Sequence, residues 1–459
     1  MVKYIWVLFY LINRILSEEV YQNSSHICST CICEDVDSFI LDCNNKHLEN
    51  VLANWPTHNK SLIATFSYNN ITTLKKFPIT QHAAKLVFDH CNIQYLESGM
   101  FSNIKRIEYL DLSHNLLTTE EISRDNFKGP YDNKRYRPIA IKHLNLAYNN
   151  IHSIPQKFFD IMPDLEELNL EGNDFVVLDP STQVALGSLG KIKVLNLANN
   201  ELTELEANFI RNLNTLTELD LSSNHLDFVP ITLNYISKNL KILKLSNNYI
   251  FQLTDQSFIG LDLMELYLND LSRLKVVEAN TFATQKNLKK LYISGNPSLR
   301  VIDKEAFANN QTLDELDLSN NALTDINYML NWSKLKILKI NSNLLECTCE
   351  LYTITKALPK SITRTSESPM CTYEYEQINQ RVYSLDAEIC SKKHSSRITK
   401  ITKKFNIIRI VMIILCSVLI TITGAAAAVA ILRYRKRLAF RNYPFAAQVS
   451  YLPIQTQHI

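Results

Sequence analysis

Glycine is scarce, at 8 residues in 459, and none stands in a G-x-G-x-x-G or G-x-x-x-x-G-K-[ST] spacing. The backbone cradles that hold dinucleotides or nucleotide phosphates are therefore missing, which argues against a nucleotide-driven enzyme. An excess of one charge is lacking too. With 48 Lys and Arg against 46 Asp and Glu, no overall field marks a binder of nucleic acid. H-E-x-x-H is absent, and no motif sets a Ser or Cys nucleophile beside a base. Catalysis, a metal and a cofactor are accordingly not expected. Long disordered stretches are also missing from a composition that is 46% hydrophobic and 20% charged, so the chain should fold, and in more than one part.

The two ends carry apolar runs. Residues 1–17 have Lys3, an apolar run from Tyr4 to Ile12 and small Ser17 before Glu18-Glu19, the layout of a secretory signal cleaved after Ser17. Ile410 to Leu432 is uncharged for 23 residues and, at about 1.5 Å per residue, is long enough to cross the hydrocarbon core as one helix. Basic residues flank this span on both sides, so charge counting alone does not orient it. A translocated, cysteine-rich N-terminal part does, and it places the protein at the plasma membrane as a single-pass chain with its N-terminus outside. The expected order is signal 1–17, N-terminal cysteine cluster 18–61, repeats 62–346, C-terminal cysteine cluster 347–390, stalk 391–409, span 410–432 and cytoplasmic tail 433–459.

The middle of the chain repeats. Leu110-Asp-Leu112-Ser-His-Asn115-Leu-Leu117 is followed by Leu144-Asn-Leu146-Ala-Tyr-Asn149-Asn-Ile151, and the frame L-x-L-x-x-N-x-L then runs through Asn173, Asn200, Asn224, Asn248, Asn296, Asn321 and Asn343. It extends back to Asn69 and, with Cys in the Asn place, to Cys91; one further turn puts Leu271 there. Alternation such as Leu195-Asn196-Leu197 makes a short strand with one buried face, and no turn can bury its own leucines without neighbours. The Asn amide can satisfy backbone groups that leave the sheet, which Cys91 does weakly and Leu271 not at all.

This pattern over residues 62–346 resembles the leucine-rich repeat family. The resemblance implies an α/β solenoid, a curved parallel β-sheet horseshoe of about 12 repeats, with Phe101, Phe209, Phe258, Phe282 and Phe307 stacked along the convex side. A solenoid exposes raw apolar ends and requires caps. Cys28-x2-Cys31-x-Cys33-x9-Cys43 and Cys347-x-Cys349-x21-Cys371-x18-Cys390 look like the cysteine-rich caps of the extracellular type. Four cysteines allow three pairings, and zinc is the rival use of such clusters. The resemblance implies Cys28 with Cys33, Cys31 with Cys43, Cys347 with Cys371 and Cys349 with Cys390. Cys91 and Cys416 are left as inert thiols. Sequons at Asn23, Asn59, Asn70, Asn310 and Asn331 suit a secreted surface.

The concave face is formed by the non-leucine strand positions. From the third to the fifth turn it offers Tyr109, Asp111, His114, His143, Asn145, Tyr148 and Glu167, and further on Tyr267 and Tyr292. Aromatic rings among mixed charges on a rigid sheet suit recognition of a protein. His90 and His114 share a column and could hold zinc or sense acidification, but are taken as surface residues. The step from Asn115 to Asn149 is 34 residues, and its excess, Ser123 to Pro138, is rich in Arg, Lys and Tyr. It is taken as a tolerated insertion, with a heparan-type or acidic partner, or proteolysis, as the other uses. Gly424 and Ala428 make a small-x-x-x-small pair through which two spans could meet as a homodimer. In the tail, Tyr451-Leu-Pro-Ile454 has the Y-x-x-Φ form of a tyrosine sorting signal. The expected function is that of a cell-surface protein binding an extracellular protein ligand, or a surface protein on an apposed cell, as adhesion molecule or recognition receptor. The alternative is a co-receptor or trap for a soluble factor, innate-immune recognition included. The short tail departs from the Toll type, whose cytoplasmic signalling domain has no counterpart here.

Overall fold

Each turn contributes three or more strand residues with one inward position in a common row, filled by Ala64 in the first turn and by leucine in the others. Leu110, Leu144, Leu168, Leu195, Leu219, Leu243, Leu266, Leu291, Leu316 and Leu338 are register partners from strand to parallel strand, and all are buried. Most of their flanking residues are half-exposed, as period two requires of a sheet with one face on the core, while Asp111 and Asp317 are buried. The computed structural model describes residues 24–391 (except 81, 237, 309, 365–367 and 374–377) together with 424–433 and 435. The expected signal, Cys416, most of the stalk, the first part of the span and the sorting motif at Tyr451 and Ile454 lie outside these residues. The chain divides into two units, Met1–Ile389 and Cys390–Ile459. In the second, residues 424–433, with Gly424 and Ala428, are helical and exposed. Among the described residues no helix is long and apolar enough to cross a membrane.

The first unit is a leucine-rich β-solenoid of twelve turns, counted by the ladder positions Asn69, Cys91, Asn115, Asn149, Asn173, Asn200, Asn224, Asn248, Leu271, Asn296, Asn321 and Asn343. Its main sheet has 14 strands. The twelve turns supply twelve parallel strands, and the sheet starts with an antiparallel pair, Ile32–Asp35 on Phe39–Asp42, the second of which pairs in parallel with Leu62–Thr65. That hairpin covers the apolar edge of the first turn and is held by disulfides Cys28–Cys33 and Cys31–Cys43. At the other end Cys347 is joined to Cys371, and Cys349 and Cys390 are each disulfide-bonded. There the helix Cys349–Ala357 starts at Thr348, whose hydroxyl accepts the Leu351 N–H, and turns Leu351 and Ile354 inward.

The ladder position closes each turn. Asn224 Nδ2 donates to the carbonyls of Leu197 (2.9 Å), Leu221 (3.0 Å) and Ser222 (3.2 Å), and its Oδ1 accepts the Leu202 N–H at 3.0 Å. Cys91 takes the place with a thiol that donates to Phe66 O at 2.9 Å, and burial pushes that thiol up to about 11, so it stays a donor. Leu271 donates nothing from its side chain. Leu221 O accepts from the amides of both Asn224 and Asn248, whereas Leu245 O accepts only that of Asn248. The next amide is affected as well: Asn296 Nδ2 is buried without a partner, while its Oδ1 accepts the Leu271 N–H at 2.6 Å.

Turn nine nevertheless keeps the backbone of the others, since Asp270 before Leu271 has the positive φ (56°) found before every ladder residue. Leu271→Asn would regain up to three hydrogen bonds of about 0.5–1.5 kcal/mol each. It would lose about 1.5–3 kcal/mol of leucine burial. The two nearly cancel, so we expect stability within about 1 kcal/mol of the parent; a loss above about 3 kcal/mol in urea unfolding would mean that the position has become core.

The wall opposite the sheet differs from expectation in two places. Its phenylalanines run in two series, Phe77–Phe101–Phe127–Phe158 and Phe258–Phe282–Phe307, the second continued by Tyr328 and Trp332. Phe209 is buried, but among the described residues no ring contact joins it to either series. Phe127 lies inside the stretch taken as an insertion, so Ser123 to Gly129 belongs to the regular wall. The real excess is a hairpin around the Tyr131–Tyr136 bridge, closed by the Arg137 N–H on Pro130 O.

Candidate functional site

The open face of the sheet brings the expected residues together in two separate patches. In turns three to five, Tyr109 and His143 meet as tilted rings 6.2 Å apart, and His143 Nδ1 lies 2.7 Å from Glu167 Oε2. Tyr109 donates its hydroxyl to Asp111 Oδ2 at 3.0 Å, and Asn145 Nδ2 donates to the same oxygen at 3.0 Å. Burial, then the Asp111 charge, drives the Tyr109 hydroxyl well above the usual tyrosine range, so it remains a donor. In the second patch Tyr267 and Tyr292 stack at 4.6 Å. Burial and the bond to Glu265 push Tyr267 up to about 12. Lys244 and Lys290 reach back to Glu218 (2.7 Å) and Glu265 (2.8 Å) of the preceding turns. Four strand spacings separate Glu167 from Glu265, about 19 Å, so one small ligand would not span both patches.

Asp111 is a correction to the expected contact set. It is buried, and its other oxygen accepts both the Ser113 N–H and the Ser113 hydroxyl (2.9 and 2.6 Å), so it positions Tyr109 and Asn145 rather than facing a ligand. Asn310 is a second correction. Its side chain is fully buried, with Nδ2 donating to Gln285 O at 3.1 Å, so this sequon offers no accessible amide in the fold. Asn59 and Asn70 are exposed and Asn331 is half-exposed, while Asn23 lies outside the described residues.

His114 and Tyr148 belong to a feature that hydropathy reading missed. The residue before each ladder position has φ between 52° and 69°, the left-handed region, which Asn199, Asn247, Asn320 and Asp270, and Gly172 and Gly295, enter at small cost. In turns one to four it is Tyr68, His90, His114 and Tyr148. Their rings stack along one corner of the solenoid at 4.6, 4.2 and 4.4 Å, each pair within 16° of parallel. The column ends on Gly172, where a Cβ would come within 2.5 Å of the Tyr148 ring. Beyond it Tyr148 donates to Glu171 Oε1 at 2.8 Å. Stacked imidazoles do not converge their nitrogens on one point, and among the described residues no cluster could hold a metal. The legible signal was the repeated aromatic before the ladder residue.

The hairpin of turn three is organised by its own charges. Lys128 lies over the Tyr136 ring at 4.9 Å and pairs with Asp125, and Arg137 pairs with Asp132 at 3.2 Å. Lys134 and Arg135 are left exposed with Tyr131 and Tyr136.

Comparison with known proteins agrees on the fold. The family described as "Leucine rich repeat" matches residues 139–192, 262–323 and 286–345. The chain thus carries leucine-rich repeats. It is 30% identical to lumican of Gallus gallus over 217 residues, 47% of this chain and 58% of lumican. It is 31% identical to adenylate cyclase of Schizosaccharomyces pombe over 201 residues, 43% of this chain and 11% of the cyclase. It is 25% identical to Toll-like receptor 2 of Bos taurus over 228 residues, 49% of this chain and 26% of the receptor. The chain therefore spans little more than half of one of these relatives and about a quarter or less of the others. Proteins as unlike as these share the repeat, so the repeat fixes the scaffold and the surface must decide the function.

Proposed function

We propose that this chain is a single-pass cell-surface protein, with its solenoid outside the cell, that binds an extracellular protein partner as an adhesion molecule or recognition receptor. The observation that carries the reading is the open-face patch of Tyr109, His143 and Glu167 beside the Tyr148 corner. It sets rings and paired charges on a rigid sheet whose side-chain positions are fixed by neighbours, so little entropy is lost on docking. The disulfide-held ends support an oxidising, extracytoplasmic setting. The name of one relative, Toll-like receptor 2, fits recognition, and the match to the cyclase covers too little of that enzyme to bring its chemistry. No nucleic acid, metal or cofactor enters the proposal.

Cells expressing the full chain should label with a membrane-impermeant reagent on the solenoid, and should either aggregate or bind a partner protein saturably. Aggregation assigns an adhesion role; saturable capture of a soluble factor without aggregation assigns the co-receptor role. A solenoid protected from the reagent until the cells are permeabilised would contradict the topology.

A further inference from the structure

The outer ring of the corner stack has one face left over. His90 lies between Tyr68 and His114, His114 between His90 and Tyr148, and Tyr148 between His114 and the Gly172 backbone. Among the described residues Tyr68 stacks only on His90, and it is 59% exposed. A large ring in the left-handed region (φ 58°) is strained where Asn or Gly would serve, and stacking on His90 occupies only one of its faces. Tyr68 lines a groove of about 580 Å³ together with Asn45, His47, Glu49, Asn70, His90 and Asn92. Asn70 heads the sequon Asn70-Ile71-Thr72, two residues after Tyr68. Asn92 Nδ2 donates to Asn70 Oδ1 at 3.2 Å, which holds the amide by its oxygen and leaves its nitrogen directed to other use.

We infer that Asn70 is an N-glycosylation site whose first N-acetylglucosamine seats in this groove with its C–H face on Tyr68, as a fifth member of the stack. The inference rests on the secretory reading above. In the attachment step Asn70 Nδ2 bonds to C1 of the sugar and gives up one proton to the medium, while the C1–O bond to a lipid-diphosphate oligosaccharide donor breaks and the lipid diphosphate leaves with the bonding electron pair. The polarised C–H groups of the sugar then meet the negative face of the ring, and its acetamido and hydroxyl groups meet the amides of Asn45 and Asn92 and the Glu49 carboxylate. The glycan is in this way part of the folded N-terminal turns, unlike one at Asn331, beside the buried Tyr328 and Trp332 rings, or at Asn59, beside a His58 ring already in contact with Phe39 and His82.

Glycopeptide mass spectrometry and thermal unfolding of the full chain from a glycosylating secretory host test this with a cycle of Tyr68→Asn and Asn70→Gln. Tyr68→Asn installs the residue type of the equivalent positions 199, 247 and 320, and Tyr68→Ser, the type at 223 and 342, stands in if it misfolds. Asn70→Gln should lower Tm by about 2–4 °C in the parent and by much less in the Tyr68→Asn background. Trimming the parent to a single sugar should leave its Tm unchanged. An equal drop in both backgrounds, or Asn70 bare while Asn59 and Asn331 are occupied, overturns the inference. All three bare would instead defeat the secretory reading and this inference with it.

Discussion

Asn248→Leu should destabilise the solenoid by about 2 kcal/mol. Asn248 Nδ2 donates to Leu221 O (2.9 Å), Leu245 O (3.0 Å) and Ser246 O (3.3 Å), and Oδ1 accepts the Leu226 N–H at 3.0 Å. Leu221 O keeps the Asn224 amide after the change, but Leu245 O and the Leu226 N–H lose their side-chain partner in a buried turn. Two such groups cost about 1–3 kcal/mol each. The gain from burying a leucine offsets part of this, about 1.5–3 kcal/mol at most. The turn has room for it, as Leu271 shows one repeat later. Urea unfolding of parent and variant measures the difference, and a change under about 1 kcal/mol would mean that water or backbone shifts replace the ladder amide. Paired with Leu271→Asn, the two exchanges ask the same chemical question in opposite directions.

The second large effect is expected at the N-terminal edge. Cys31 and Cys43 are both buried, and their bond fixes the hairpin that begins the parallel ladder at Phe39–Asp42. Replacing both by Ala removes that constraint and leaves the edge of the first turn free to open, at a cost of about 2–5 kcal/mol. Cys91→Ala, which removes one buried thiol but no cross-link, should cost less, about 1–2 kcal/mol. Urea midpoints of the two variants decide whether the cross-link or mere cysteine burial matters; equal losses would remove the special role given to the hairpin.

What could be read from the sequence was whatever recurs locally. The leucine row and the ladder asparagines repeat at a fixed step, and each follows from one turn needing its neighbours. The cysteine clusters were legible because they flank that pattern. Phe127 was not, because counting residues between Asn115 and Asn149 cannot tell a wall segment from the hairpin that follows it. Asp111 sits at a strand position that alternation turns outward, but Tyr109, Ser113 and Asn145 close over it through hydrogen bonds that no periodicity records. The sequon at Asn310 is local while its burial is not. The corner stack of Tyr68, His90, His114 and Tyr148 depends on left-handed backbone, which a hydropathy pattern does not express.

In the proposed function the open face around His143 and Tyr148 is the docking surface. It is tested by screening cells that display the full chain against extracellular proteins, then titrating each binder on two double variants. His143→Ala with Tyr148→Asn removes the patch while keeping a residue type suited to the left-handed corner. Arg211→Ala with Tyr235→Ala removes an exposed ring–guanidinium pair, 4.1 Å apart, on the wall opposite the sheet. The expected result is an affinity loss of about 30-fold or more, roughly 2 kcal/mol, for the first and no change for the second. Full binding by the first variant with loss in the second would place the partner on the other wall and contradict it.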